Sequence, residues 1–107
     1  FMAEFVLTGG HGGVNGGANM FRKLYVDLYN AALSRYLDKI RTLQQKVMLI
    51  STTIYNVGSF GSSYLKGLKC ALSLMGVCND FMAEPFHRFN EPERKKIEEA
   101  LIALHLE

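Results

Sequence analysis

Between Arg35 and Tyr55 the apolar residues Tyr36, Ile40, Leu43, Val47, Ile50 and Ile54 recur at steps of four, three, four, three and four. That interval lines one face of an α-helix. The spacing predicts a long helix from Arg35 to about Tyr55 with a core-facing seam. Phe21, Leu24, Leu28 and Ala31 or Ala32 repeat in the same way and predict a helix from Met20 to Ser34, with Asn19 as its N-cap. A third pattern, Leu65, Leu68, Leu72 and Met75, ends at Gly76, a residue suited to the left-handed turn that stops a helix. The last pattern, Ile97, Leu101 and Leu104, follows Asn90-Glu91-Pro92-Glu93, where Asn90 can cap the backbone and Glu93 can answer three residues on. Between these helices, Asn56 to Ser62 carries turn residues, and 77–89 is irregular and contains Pro85.

The pattern fails before Met20. Six of the ten glycines fall between Gly9 and Gly17, after the apolar run Phe1-Met2-Ala3-Glu4-Phe5-Val6-Leu7. Glycine at this density marks backbone at positive φ, or a close approach that a Cβ would block. Phe1 to Thr8 reads either as a helix tail closed by Gly9 or Gly10 or as a short strand, and His11 to Gly16 reads as a strand. Two phosphate-binding motifs fail on spacing. A dinucleotide fingerprint on Gly10 and Gly12 requires glycine where Asn15 stands, and a phosphate loop from Gly12 to Gly17 then meets Ala18-Asn19 instead of Lys-Ser/Thr.

With 107 residues, 49% hydrophobic and 21% charged, the chain has room for a modest core, and its net charge of +2 is nearly neutral. The basic residues are interleaved with acids and make no stripe suited to nucleic acid. Arg94-Lys95-Lys96, flanked by Glu91, Glu93, Glu98 and Glu99, reads as a solvated helix face. Cys70 and Cys78 lack metal or redox spacing and read as reduced thiols. His11 fits a turn cap, and His87 and His105 fit the surface. Met20, Met48 and Met75 fit apolar faces as core. The three histidines and two cysteines imply no metal, and no apolar run approaches the length of a membrane span. A cytoplasmic chain that binds neither membrane nor nucleic acid is the expectation.

A single strand presents a conflict. Its N–H and C=O groups need partners on both sides, and the helical patterns supply none. Two arrangements resolve it. The glycine-rich stretch is a loop on a small helical interaction module without catalytic activity, or it is the end of an α/β protein whose other strands lie upstream. The start at Phe1, inside an apolar segment, favours the second.

Gly9-Gly10-His11-Gly12-Gly13-Val14-Asn15-Gly16-Gly17-Ala18-Asn19, the helix from Met20 to Ser34 and Lys69-Cys70-Ala71-Leu72-Ser73-Leu74-Met75-Gly76 together resemble the C-terminal third of the dihydrodipicolinate synthase and N-acetylneuraminate lyase family. The Glu84-Pro85-Phe86 turn and the helix from Glu91 extend the likeness over nearly the whole chain. The resemblance implies the α/β class: the last strand and helix of a (β/α)8 TIM barrel followed by a three-helix extension. On it, 1–34 is the end of the barrel (the close of helix 7, strand 8 and helix 8), and 35–107 is the C-terminal helical extension. Family members join pyruvate to a lysine as a Schiff base, form or cleave a carbon–carbon bond, need no added cofactor and are commonly homo-oligomers.

The same resemblance places the lysine nucleophile, the proton-relaying tyrosine and the loop for the pyruvate carboxylate upstream. No catalytic residue is therefore expected here, and the 107 residues alone should be inactive, because covalent catalysis needs a desolvated amine. Lys66 and Lys69, on the third helical pattern, are not substitutes. The chain would contribute a wall of the site, since chemistry in such a barrel gathers at the C-terminal ends of the strands. The resemblance implies that the Val14 main-chain carbonyl faces the lysine and the pyruvyl group, and that Asn15 and Gly16 border an aldehyde or sugar-like second substrate. Small residues at Gly16 and Gly17 would leave room for a bulky acceptor.

Overall fold

The computed structural model describes residues 2–58, 63–83 and 87–104. Its regular elements are α1 (Met2–Leu7), a 3-10 turn (Gly16–Asn19), α2 (Arg22–Leu33), α3 (Leu37–Thr53), α4 (Ser63–Leu74) and α5 (Glu91–Leu104). The chain forms two compact units, Phe1–Met48 and Leu49–His105. The Glu84-Pro85-Phe86 turn, the end of the Asn56–Ser62 turn and His105 lie outside the described residues.

Three of the helices end in the same way. At α1, the Gly10 N–H donates to the Phe5 carbonyl (2.8 Å) and the Gly9 N–H to the Val6 carbonyl (3.1 Å), with Gly9 at φ 106°. These are the paired bonds of a Schellman motif, and they settle the opening segment as a helix tail. α4 closes identically: Val77 N–H to Leu72 O and Gly76 N–H to Ser73 O, both 3.0 Å, with Gly76 at φ 81°. α2 repeats the pattern without glycine. Tyr36 donates to Ala31 (3.0 Å) and Arg35 to Ala32 (3.1 Å), which holds Arg35 at φ 56°.

Several sequence expectations are corrected. The expected strand over His11–Gly16 is absent, as is any strand among the described residues. Asn15 keeps extended dihedrals (φ −108°, ψ 121°), but a strand also requires a paired backbone beside it, and none of the described residues provides one. Asn19 does not cap the next helix. It closes the 3-10 turn, and α2 starts at Arg22 after Phe21, without a side-chain cap. The left-handed Arg35 delays α3 to Leu37, where the first bond runs from Ile40 N–H to Tyr36 O (3.0 Å).

In the unit Phe1–Met48, α1 packs on α2, and α2 on the 3-10 turn. Ala3, Val6, Met20, Phe21, Leu24, Tyr25, Leu28, Ala31, Ala32 and Leu43 are buried. In the unit Leu49–His105, α4 packs on α5, and Ile50, Ile54, Leu68, Cys70, Ala71, Leu72, Phe89, Ile97 and Leu104 are buried. The long-helix seam therefore holds at Leu43, Ile50 and Ile54 but not at Tyr36, which is exposed. The inner face of α4 is Gly67, Leu68, Cys70, Ala71 and Leu72. Leu65 and Met75 fall outside that face and are exposed, and Met48 is exposed rather than in the core. Helical spacing fixes which residues share a stripe, but not how wide the covered arc is.

Candidate functional site

The glycine-rich segment leaves α1 through Gly9 and Gly10 and reaches Val14 with no regular structure. Val14 is fully exposed, while Asn15 and Gly16 are half-buried. The Asn15 side-chain amide donates to the Met2 sulfur (3.3 Å), a weak bond that turns this side chain toward α1.

Past Asn15 the chain tightens. The Asn15 carbonyl accepts from Ala18 N–H (3.1 Å), the Gly16 carbonyl from the Asn19 amide (2.9 Å), and the Gly17 carbonyl from Met20 and Phe21 N–H (3.0 and 2.9 Å). The three carbonyls after Val14 are thus engaged within the turn.

Beside the segment lies a groove of about 300 Å³, bordered by Met2, Gly12, Asn15, Arg22, Tyr25 and Tyr29 among others. Gly17 is not open space for an acceptor. It is buried, and a Cβ built on it would overlap the Tyr25 ring and hydroxyl. Tyr25 therefore fills the space over Gly17. The contacts of Asn19 with the Gly16 carbonyl and of Tyr25 with Gly17 are not legible in the helical spacing. Their signal was the adjacent pair Gly16-Gly17, which demands something to hold it.

Among the described residues no lysine borders this groove. Lys66 and Lys69 are half-buried on α4, in the other unit. His11 is exposed. Among the described residues no group of three or more His, Cys, Asp or Glu side chains could hold a metal ion, and no helix is long and apolar enough to cross a membrane.

The unit Leu49–His105 holds a second polar cluster, which includes Arg94, a residue that the sequence pattern puts on a solvated helix face. Arg94 is not on a solvated face: its guanidinium meets the buried Asp80 carboxylate at 2.8 Å and donates to the Ser73 hydroxyl at 3.2 Å. Arg88 stands 3.5 Å from the other Asp80 oxygen and lies over the Phe81 ring, 5.0 Å from its centroid. Lys95 and Lys96 are exposed as expected. A cleft of about 450 Å³ opens beside these groups. Both cysteines are free thiols, Cys78 exposed and Cys70 buried. Burial pushes the Cys70 thiol above its ordinary value, against a smaller opposing pull from Arg94. Asn90 occupies the N-cap position of α5, its carbonyl accepting from Arg94 N–H (2.9 Å), while one Glu93 carboxylate oxygen is buried without a partner among the described residues. That oxygen does not close a capping box.

The sequence profile of the dihydrodipicolinate synthetase family matches residues 1–104. The chain belongs to this family. Among solved structures, dihydrodipicolinate synthase from the commensal bacterium Bacteroides thetaiotaomicron is 65% identical, with a TM-score of 0.93. The match covers 95% of this chain and 34% of that one, so the family segment described here spans about a third of the length of that relative. No curated protein sequence matches the chain. The matched residues include α1, the glycine-rich segment and all the later helices, so the family relationship covers both units.

Proposed function

We propose that this chain is part of a pyruvate-dependent Schiff-base lyase of the dihydrodipicolinate synthase type, and that Val14, Asn15 and Gly16 form one wall of its active site. The observation that carries the reading is the 65% identity to a dihydrodipicolinate synthase over 95% of the chain. That relative favours carbon–carbon bond formation with an aldehyde over N-acetylneuraminate cleavage. A free-standing helical module is not favoured, because the family match runs through residues 1–104.

In this reading an upstream lysine condenses with the pyruvate carbonyl, releasing water. Loss of a methyl proton from the resulting imine gives an enamine, whose terminal carbon bonds to the aldehyde carbon; water then frees the lysine. The present residues supply no amine to that sequence. Their part is positional: the Val14 carbonyl faces the lysine and pyruvyl group, and Gly16 borders the aldehyde. The upstream residues would also complete the barrel around His11–Gly16, giving that extended segment the strand partners it lacks here.

The test is a chimera in which this chain replaces the matched third of the Bacteroides thetaiotaomicron enzyme. With pyruvate and borohydride, intact mass should show a trapped pyruvyl adduct on the chimera, mapping outside the 107 residues, and none on the chain alone. An adduct on the isolated chain, or a folded chimera that forms no adduct and no condensation product, would sink the proposal.

A further inference from the structure

Gly16 and Gly17 sit at the end of the proposed wall, and two successive glycines give the backbone there wide conformational freedom. A substrate-facing wall requires that freedom to be removed. Beyond the backbone bonds of the 3-10 turn, two side chains remove it. The buried Tyr25 ring lies against the Gly17 α-carbon so closely that a Cβ has no place. The Asn19 side-chain amide donates to the Gly16 carbonyl at 2.9 Å, which fixes the plane of the Gly16–Gly17 peptide.

We infer that Asn19 is a positioning residue for the aldehyde side of the active site: by clamping the Gly16 carbonyl it sets the direction in which Gly16 and the preceding residues face the second substrate. This inference rests on the reading of Val14–Gly16 as an active-site wall. Asn19 itself is exposed on the 3-10 turn, and its bond to Gly16 is local, spanning three residues. Its loss therefore leaves the buried residues of the unit untouched and acts on the geometry of the turn. The bond needs a donor, not merely a polar atom, because the Gly16 carbonyl can only accept. A carboxylate of the same shape would repel it. A serine hydroxyl can donate to the carbonyl three residues earlier, as the Thr8 hydroxyl does to Phe5 (3.0 Å) in this same chain.

The experiment uses the chimera with the Bacteroides thetaiotaomicron enzyme, unsubstituted and as Asn19→Ala, Asn19→Asp and Asn19→Ser. Expected is a rise in KM for the aldehyde of about fivefold in the alanine variant and at least as much in the aspartate variant, the size set by one lost neutral hydrogen bond. The serine variant should return to within about twofold. Pyruvate trapping by borohydride should be unchanged throughout and the melting temperature should fall by no more than about 4 °C, whereas a purely structural role would not single out the aldehyde KM. An active chimera whose alanine and aspartate variants keep the parental KM overturns the inference and leaves the lyase reading standing. A folded chimera without activity overturns the lyase reading itself, and the inference with it.

Discussion

Gly67 faces the Ile54 carbonyl oxygen with no room for a side chain between them. A Cβ at Gly67 would overlap that oxygen, and the obstacle is backbone, not a flexible side chain that could swing away. Ile54 is completely buried, as is the neighbouring Ala71 of α4. The absence of a side chain at Gly67 is what lets α4 approach the backbone after α3 so closely.

Gly67→Ala should therefore destabilise the protein. At an ordinary interior helix position alanine gains about 1 kcal/mol over glycine, so the sign of the change is diagnostic. Urea unfolding should show a net loss of about 2 kcal/mol, the scale of overpacking a tight contact. A gain would mean that the approach relaxes freely.

The three Schellman ends predict opposite effects of glycine. Arg35 holds φ 56°, a conformation that costs a non-glycine residue about 1 kcal/mol. Arg35→Gly should recover roughly that amount, about 1 kcal/mol, whereas Gly76→Ala, at φ 81°, should lose a similar quantity. Both shifts are read from denaturation midpoints at constant slope.

Asp80 separates two arginines by burial. Removing Arg94 leaves a buried carboxylate with only Arg88 at 3.5 Å, so Arg94→Ala should cost about 3 kcal/mol. The Arg88 side chain is mostly exposed, and Arg88→Ala should cost less than about 1 kcal/mol. Equal losses in chemical denaturation would show that the two contacts share the load.

The cysteines should differ in reactivity and in their pH dependence. An alkylating reagent should label Cys78 rapidly and Cys70 only on unfolding. Because burial raises the folded-state value of the Cys70 thiol, its contribution to stability is complete below its ordinary value of 9.0 and is lost as pH rises from there through the raised folded-state value. Cys70→Ala should flatten that alkaline fall; an unchanged fall would assign it elsewhere.

The exposed apolar residues of the unit Phe1–Met48 carry the last prediction. Val26 and Leu33 on α2, with the half-buried Tyr29 between them, form a second stripe away from its buried face, and Leu37 and Met48 are exposed on α3. The chain alone should bind an anilinonaphthalene dye, and the chimera should not. A dye-silent monomer would instead support a self-sufficient helical module.

Much of this was determined by local sequence. The helices, the left-handed stops at Gly9 and Gly76 and the buried Leu43, Ile50 and Ile54 follow from residue spacing and from what glycine's missing Cβ allows, both of which act within a few residues. The order of the glycine-rich motif and the later helices was enough to indicate the family, and Val14, Asn15 and Gly16 as wall residues came from that resemblance alone. Tertiary structure decided the rest, because it depends on partners distant in sequence. Nothing in the pattern around Arg94 announces a buried Asp80 fourteen residues earlier, nor does the stripe of α2 reveal that Tyr25 fills the space over Gly17. The strand expected at His11–Gly16 makes the same point from the other side: extended dihedrals are local and survive at Asn15, but a strand exists only where a second backbone lies alongside to take its hydrogen bonds.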